Sequence, residues 1–212
     1  MKVAVLGASG WIGSHILAEA KARGHEVVAL VRDPSKVAEE GVEVRQFDVL
    51  DESADLAAAL DGVDALISAL GGRAAGNHEL VVKTAHSLLN GLPAAGVTRL
   101  LWVGGAGSLE VEPGVALITL PDFPDEYKAE AQVMVEALEV FRNYEGDVNW
   151  TFVSPAADIF PGDKKGEYRI GGDSLVSDSE GNSRISVADY AVAMIDELEK
   201  AAHPSQRIGV AY

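Results

Sequence analysis

The sequence contains no cysteine among its 212 residues, so disulfide bonds and thiolate metal sites are excluded. Positive charge is also scarce, because 17 lysine and arginine residues stand against 33 aspartate and glutamate residues. The resulting net charge of −16 argues against nucleic acid and anionic membranes as partners. No apolar run is long enough to span a bilayer, and Met1 and Lys2 lead into a strand rather than a signal peptide. We therefore expect a soluble cytoplasmic protein.

Apolar runs that are typical of buried strands alternate with helical periodicity along most of the chain. The predicted strands are 3–6, 26–31, 42–47, 63–68, 98–103, 148–153 and 207–211. The predicted helices are 11–23, 56–60, 77–94, 124–144 and 187–200, and a short helix begins at 33–35. This alternation predicts an α/β fold, a doubly wound parallel sheet of the Rossmann type, in one domain covering 1–212. The Gly-, Asp- and Ser-rich segment 155–186 breaks the alternation, because it contains only short strand-like pieces such as 168–170. We expect it to form a small C-terminal cap on the substrate side.

A glycine-rich turn lies between the first strand and the first helix. Its glycines have the spacing of a dinucleotide site: Gly7 permits a tight turn, Gly10 lets backbone approach a diphosphate, and Gly13 lets the helix pack on the strand. Amide groups at the helix start would then face the anion. Three glycines are common by chance in a chain with 22 of them, and an ordinary turn is the alternative. The strand–turn–helix context favours a cofactor site formed by Gly7, Ala8, Ser9, Gly10, Trp11, Ile12 and Gly13.

The end of the second strand predicts which nicotinamide coenzyme is preferred. Val31 stands where NAD-binding proteins usually carry an acidic residue, and Arg32 follows it directly. A guanidinium can hold a 2′-phosphate with two hydrogen bonds, and Lys36 lies nearby. Asp33 is the counter-argument, although an Asp before Pro-Ser is also common at turns and helix starts. We favour NADP(H) over NAD(H), with Arg32 and Lys36 as contacts.

The chain resembles the atypical short-chain dehydrogenase/reductase superfamily at 3–13, 31–34, 47–49, 149–151 with 154–155, and 186–190. It is most similar to small NAD(P)H-binding and NADH-flavin reductase-like proteins, relatives of NmrA-like and biliverdin-reductase-B-like proteins. The resemblance implies that Asp48 and Val49 hold the adenine and that Pro155 flanks the nicotinamide. It also places Ser68, Ala69, Leu70 and Gly71 beneath the nicotinamide ribose. Trp11 departs from many relatives, which carry an arginine there that touches phosphate.

A second departure concerns catalysis. Typical members use a tyrosine with a lysine four residues later, which lowers the tyrosine's pKa for proton transfer. Here Tyr127 is followed directly by Lys128, and Ala131 stands at the fourth position. None of the other tyrosines has a lysine at that offset. Hydride transfer to a flavin or quinone needs mainly positioning, so it fits this sequence better than carbonyl reduction.

Three residues remain as candidates for a catalytic role. Ser108 follows the glycine-rich segment that contains Gly105, and it could bind the substrate or the nicotinamide amide. Tyr127 could stack on the acceptor or donate to it, and Lys128 could reach the cofactor ribose. A turn serine and a solvated helix start are the alternatives. The five histidines share no ligand spacing, so no metal is expected.

These observations favour an NAD(P)H-dependent oxidoreductase that passes hydride to a small-molecule acceptor, such as a flavin (FMN or FAD), a quinone or a similar electrophile. The alternative is a non-catalytic, NmrA-like NADP(H) sensor. A sugar-nucleotide epimerase ranks third, because the Tyr-x-x-x-Lys pair is absent. We expect a monomer or a homodimer.

Overall fold

The structure, a computed structural model, describes residues 1–72 and 76–212. Its strands in chain order are β1 Lys2–Leu6, β2 Glu26–Val31, β3 Glu43–Gln46, β4 Ala65–Ser68, β5 Arg99–Val103, β6 Glu110–Glu112, β7 Val115–Ala116, β8 Asn149–Ser154, β9 Asp158–Phe160, β10 Arg169–Gly171, β11 Arg184–Ser186 and β12 Gln206–Ala211. Its α-helices are α1 Trp11–Ala22, α2 Leu56–Ala59, α3 Glu79–Gly91, α4 Asp125–Arg142 and α5 Val187–Lys200. Short 3₁₀ turns occupy Pro34–Lys36 and Leu117–Thr119.

The described residues form an eight-stranded central sheet in the order β10-β12-β8-β5-β4-β1-β2-β3. All neighbouring strands run parallel except β10, which pairs antiparallel with β12. β1 pairs with β2 on one side and with β4 on the other, so the strand order reverses at β1. Ligands of doubly wound sheets bind at such a reversal, beyond the carboxyl ends of the strands. The predicted fold class is confirmed.

Each face of the sheet is covered by its own pair of helices. α1 and α5 pack on one face, where Ile16 and Tyr190 are buried against the strands. α3 and α4 pack on the other, where Leu88 and Phe141 join a second apolar core. The inner face of α3 is buried and includes Leu80, Val81, Thr84 and Leu88. Burial on both faces explains why the central strands are almost continuously apolar.

The predicted element ends match the structure within about three residues. The strand 26–31 and the helix 187–200 have the predicted bounds, whereas the helix predicted over 77–94 spans Glu79–Gly91. Gly24 follows the C-cap of α1 with a φ of 84°, the left-handed conformation that makes glycine the preferred residue there.

The segment 155–186 does not form one uniform cap. β9 and β11 pair with each other in a small parallel sheet, while β10 adds a strand to the central sheet. The extended piece at 168–170 therefore extends the sheet edge instead of covering a site. Only the beginning of the segment, 155–159, borders the cleft described below.

Candidate functional site

The glycine-rich turn joins β1 to α1 at the point where the strand order reverses. The Gly7 N–H donates to the Leu30 carbonyl at 3.1 Å, and the Gly10 N–H donates to the Gly7 carbonyl at 3.0 Å. A Cβ at Gly13 would lie 2.1 Å from the Gly7 carbonyl oxygen, and one at Gly7 would lie 2.9 Å from the Ala69 oxygen. Side chains at these two positions would therefore push the turn away from the helix and from β4.

The N-terminus of α1 presents backbone N–H groups without an internal partner. In the described chain no side chain caps α1, and no acidic residue lies in its first turn. The first N–H groups of a helix have no acceptor within the helix, and here these belong to Trp11, Ile12 and Gly13. Together with the helix dipole they form a site suited to an anion such as a diphosphate.

A small pocket of about 130 Å³ lies on one side of this helix end. It is lined by the ends of β1, β2 and β4 and by the segment after β3. Nine of the predicted cofactor residues line it: Gly7, Ser9, Gly10, Arg32, Asp48, Val49, Ala69, Leu70 and Gly71. The chain therefore brings most of the predicted cofactor site together in space. We call this cavity the coenzyme pocket.

Arg32 and its neighbours fix the outer edge of the coenzyme pocket. The Arg32 carbonyl accepts a hydrogen bond from the Gln46 side chain at 3.0 Å, which anchors this backbone to β3. Asp33 caps the following 3₁₀ turn, since its Oδ1 accepts from the Ser35 N–H at 3.0 Å and from the Ser35 hydroxyl at 2.6 Å. These two bonds hold the pKa of Asp33 below its ordinary value. They agree with the turn-forming interpretation of Asp33.

Lys36, Ala8 and Ser68 are among the predicted cofactor residues that do not line the coenzyme pocket. Lys36 is exposed on the 3₁₀ turn, and Ala8 is buried in the core beneath the turn. Ser68 is buried at the end of β4, and its hydroxyl has no hydrogen-bond partner within residues 1–72 and 76–212. The Ser68 side chain therefore belongs to the interior of the sheet.

A larger cleft of about 650 Å³ lies on the other side of the α1 N-terminus. Trp11 and Ile12 of α1 line it, together with the segment 104–107 after β5 and the segment 155–159 after β8. The predicted residues Gly105 and Pro155 are thus placed in this cavity, which we call the acceptor cleft. The remaining wall is the segment from the second 3₁₀ turn into α4, including Leu117, Leu120, Phe123 and Met134.

The predicted catalytic residues are not brought together. Tyr127 lines the acceptor cleft with 42% of its surface exposed. The Ser108 hydroxyl instead accepts a hydrogen bond from the buried Arg207 guanidinium at 2.8 Å, and Ser108 is not among the described residues that line the cleft. The Lys128 ammonium donates to Asp125 at 2.5 Å on the exposed side of α4. This placement gives Ser108 and Lys128 structural partners and supports no catalytic role for either.

Sequence reasoning missed the part of this wall that precedes α4, residues 117–123. This part follows the short hairpin of β6 and β7 and contains a 3₁₀ turn, and such elements are too brief to show periodicity. Glu130, one turn beyond Tyr127, also lines the cleft and lies close to Gly71 at the border with the coenzyme pocket. The sequence signal for Glu130 was its position three residues after the candidate Tyr127 on a predicted helix.

Together, the fold and the two cavities define a dinucleotide-binding α/β protein of the Rossmann class. The model of the NAD(P)H-binding family matches residues 7–198. The chain therefore belongs to the NAD(P)H-binding family, and the resemblance inferred from the sequence is confirmed.

Its similarity to known proteins extends over the full length. The YwnB protein of Bacillus subtilis is 42% identical over 213 residues, covering 99% of this chain and 98% of that protein. A solved structure from Burkholderia pseudomallei, named as an exported protein, is 43% identical with a TM-score of 0.91 and complete coverage of both chains. Another from Streptococcus pneumoniae, whose name classes it with the NADH-flavin reductases, is 38% identical with a TM-score of 0.89, covering 100% of this chain and 99% of that one.

The length and polarity of the helices bear on the predicted cellular compartment. Within residues 1–72 and 76–212, every helix is too short or too polar to cross a lipid bilayer. The cytoplasmic location remains a prediction.

Proposed function

We propose that the protein is an NADPH-dependent reductase that passes hydride to a flavin, a quinone or a similar small electrophile. One observation carries the proposal: the uncapped N-terminus of α1 lies between two cavities. Ser9 and Gly10 line the coenzyme pocket, whereas Trp11 and Ile12 line the acceptor cleft. A dinucleotide whose diphosphate binds at this helix end has room for its adenosine on one side and its nicotinamide on the other.

The residues of the coenzyme pocket fit an adenosine that carries a 2′-phosphate. Arg32 provides a guanidinium at the outer edge, where it can pair with the phosphate. Asp48 and Val49 provide a polar and an apolar contact for the adenine. The Asp48 carboxylate also accepts from the Leu50 N–H at 3.0 Å, which holds this loop in place. NADP(H) is therefore the coenzyme we assign to the pocket.

The acceptor cleft supports hydride transfer without a dedicated acid. A bound nicotinamide coenzyme would supply two electrons and one proton as hydride, leaving NADP⁺, and the acceptor takes its second proton from water. The chain contributes binding, orientation and exclusion of competing reactions. Lys128 is paired with Asp125, and no lysine stands four residues after Tyr127, so the proton relay of carbonyl reduction has no counterpart here. The same absence argues against epimerase chemistry, although one similar structure, from Bacteroides thetaiotaomicron, is named as an epimerase.

The proposal is tested by following the nicotinamide absorbance of NADPH with purified protein and one acceptor at a time. Riboflavin, FMN, FAD and an uncharged naphthoquinone serve as acceptors, and protein-free mixtures correct for spontaneous reduction. We expect oxidation of NADPH that is proportional to protein concentration with at least one acceptor.

Binding of NADPH without turnover of any acceptor would contradict the reductase proposal. Calorimetry with NADP⁺ and NADPH then decides whether the protein is a sensor. A sensor must bind the two forms with different affinities, because a ligand shifts an equilibrium only by its differential affinity.

A further inference from the structure

The acceptor cleft has a floor of small residues and two large aromatic side chains at its mouth. Gly104, Pro155 and Ala156 are buried and offer only backbone and short side chains to the cavity. Trp11 and Tyr127 line the same cavity with 47% and 42% of their surfaces exposed, so they lie on its solvent side. A half-exposed aromatic ring at the edge of a cavity is suited to stacking on a planar ligand.

The two aromatic side chains border the cleft from different sides. Trp11 is the first residue of α1, which packs on one face of the sheet. Tyr127 lies on α4, which packs on the other face. The cleft lies between these helices, beyond the carboxyl ends of β5 and β8. A flat ring that enters the cleft therefore passes between Trp11 and the wall that contains Tyr127.

The Trp11 ring is supported by neighbours in its own helix. The His15 ring, one turn later, meets it edge to face, with 6.5 Å between the ring centroids and 82° between the ring planes. The His15 Nδ1–H donates to the Trp11 carbonyl at 2.8 Å, and the Ser14 hydroxyl donates to the same oxygen at 3.0 Å. The indole thus has a neighbour that orients it before a ligand binds, which reduces the entropy lost on binding.

Trp11 also lies where the coenzyme and the acceptor would meet. Its backbone N–H belongs to the uncapped start of α1, whereas its side chain lines the acceptor cleft. Hydride transfer brings the reacting atoms to about 3–3.5 Å, so the acceptor must lie against the nicotinamide. A nicotinamide bound on the buried floor at Gly104 and Pro155 leaves the mouth of the cleft to the acceptor. Trp11 is the aromatic residue of that mouth which directly follows the diphosphate-binding turn.

From this geometry we infer that Trp11 is the stacking surface for the hydride acceptor, and that it favours fused-ring acceptors over acceptors with a single ring. The apolar area buried between two stacked rings grows with ring size, and an indole offers two fused rings. An isoalloxazine or a naphthoquinone covers the indole, whereas a benzoquinone covers only part of it. The inference rests on the proposed reductase function and specifies its substrate class. The acceptor gains a hydride and a solvent proton while NADPH becomes NADP⁺.

Trp11→Leu tests this role, because leucine keeps apolar bulk at the cleft and removes the flat ring. We expect kcat/KM for riboflavin to fall by about 10-fold and kcat/KM for a benzoquinone to fall by less than about 3-fold. The KM for NADPH should change by less than about 2-fold, since the coenzyme keeps its own contacts. Each acceptor is compared with itself in the unchanged protein, so differences in reduction potential between the acceptors cancel.

Two further variants separate stacking from a general loss of apolar surface. Trp11→Phe keeps a flat ring and should lower kcat/KM for riboflavin by about 3-fold or less. Ile170→Ala is the matched control and should leave these constants unchanged, because Ile170 is also 47% exposed but lies on β10, outside the described cleft lining. Equal losses with riboflavin and the benzoquinone, a loss confined to the KM for NADPH, or equal losses in Trp11→Phe and Trp11→Leu would each overturn the inference.

Equilibrium binding separates this inference from the proposed function if no acceptor is turned over. Riboflavin fluorescence is quenched when the flavin ring stacks on an indole, so a titration with protein saturated with NADP⁺ reports both the Kd and the stacking. Binding with quenching that is lost in Trp11→Leu, without turnover, would reject the reductase and support Trp11 as the stacking surface of the cleft. No binding of riboflavin, or the same Kd and quenching in Trp11→Leu, would overturn the inference independently of the kinetics.

Discussion

At the scale of single residues, the turn after β1 depends on the absence of a side chain at Gly13. The Gly7 carbonyl oxygen occupies the space that a Cβ at Gly13 would need, whereas a Cβ at Gly10 would lie 3.2 Å from the same oxygen. Gly13 and Gly10 therefore have different structural roles. Gly13 allows α1 to approach the strand, and Gly10 leaves the space in front of the helix open.

Gly13→Ala should therefore lower the free energy of unfolding by about 2–4 kcal/mol, because overpacking at backbone cannot be relieved by a rotamer change. Urea unfolding followed by circular dichroism measures this. Gly172→Ala is the control, since a Cβ there meets no atom within 4 Å and should change stability by less than about 0.5 kcal/mol. Equal stability of the two variants would disprove the close approach.

Arg32→Ala should raise the KM for NADPH by roughly 10- to 100-fold and leave the KM for NADH nearly unchanged. The reason is the loss of a charge-assisted contact worth about 1.5–3 kcal/mol to the 2′-phosphate alone. Steady-state kinetics with both coenzymes measure the effect. Lys200→Ala removes an exposed cation at the far end of α5 and should change neither KM. Similar losses with NADPH and NADH would contradict the assignment of Arg32.

The role of a residue could be predicted from the sequence only where local backbone geometry determines it. The packing roles of Gly7 and Gly13 followed from their spacing, because a strand, a tight turn and a helix fix that geometry. The partner of Ser108 could not be foreseen, since Arg207 lies 99 residues away in sequence. Lys128 differs, because its partner Asp125 lies only three residues earlier on α4, a spacing at which helical side chains meet.

At the scale of elements, the strands and helices that are buried were predictable. Continuous apolar runs defined β2 and β5, and helical stripes defined α3 and α5. β10 was recognised only as a short extended piece, because its place in the sheet depends on pairing with β12 some 40 residues later. The wall segment 117–123, before α4, was missed for the same reason, since short turns take their shape from distant contacts.

The start of α5 provides a test at this scale. The Ser186 hydroxyl accepts from the Asp189 N–H at 3.0 Å and caps the helix. Ser186→Ala should cost about 1–2 kcal/mol of stability, because this buried N–H loses its acceptor. Thermal and urea unfolding measure the loss. Ser53→Ala, which removes an exposed hydroxyl bonded to Asp51, should cost less than about 0.5 kcal/mol. A neutral Ser186→Ala variant would reject the cap.

At the scale of the whole molecule, several partly buried carboxylates connect distant segments. Burial alone would raise the pKa of Asp189, but hydrogen bonds from Tyr212, from the Gly166 and Lys165 backbone and from Ser186 outweigh it and lower the pKa. Three others also have lowered pKa values despite burial: Glu19, Asp173 and Asp196. The folded protein therefore holds these groups ionised more strongly than the unfolded chain does.

The sign of the pH effect follows from this difference. A carboxyl whose folded pKa is depressed contributes stability that is complete above its unfolded pKa, near 3.8 for aspartate, and is lost as the pH falls through its folded pKa. Asp189→Asn should thus be less stable than the unchanged protein by about 2 kcal/mol or more at pH 7. The difference in the free energy of unfolding between the variant and the unchanged protein should narrow below about pH 4. Urea titrations between pH 7 and pH 3 test it, and a gap that stays constant over this range would contradict the depressed pKa.

The placement of Trp11 gives the molecule its own optical reporter. The other two indoles, Trp102 and Trp150, are enclosed in the core between the sheet and α4. Trp11 alone of the three stands half in solvent, at the head of α1 and against the acceptor cleft. The emission of Trp11 overlaps the absorption of a reduced nicotinamide. NADPH bound in the acceptor cleft would therefore quench the Trp11 fluorescence and emit blue fluorescence itself. Trp11 can thus serve as an intrinsic energy-transfer donor that reports binding and release of the coenzyme.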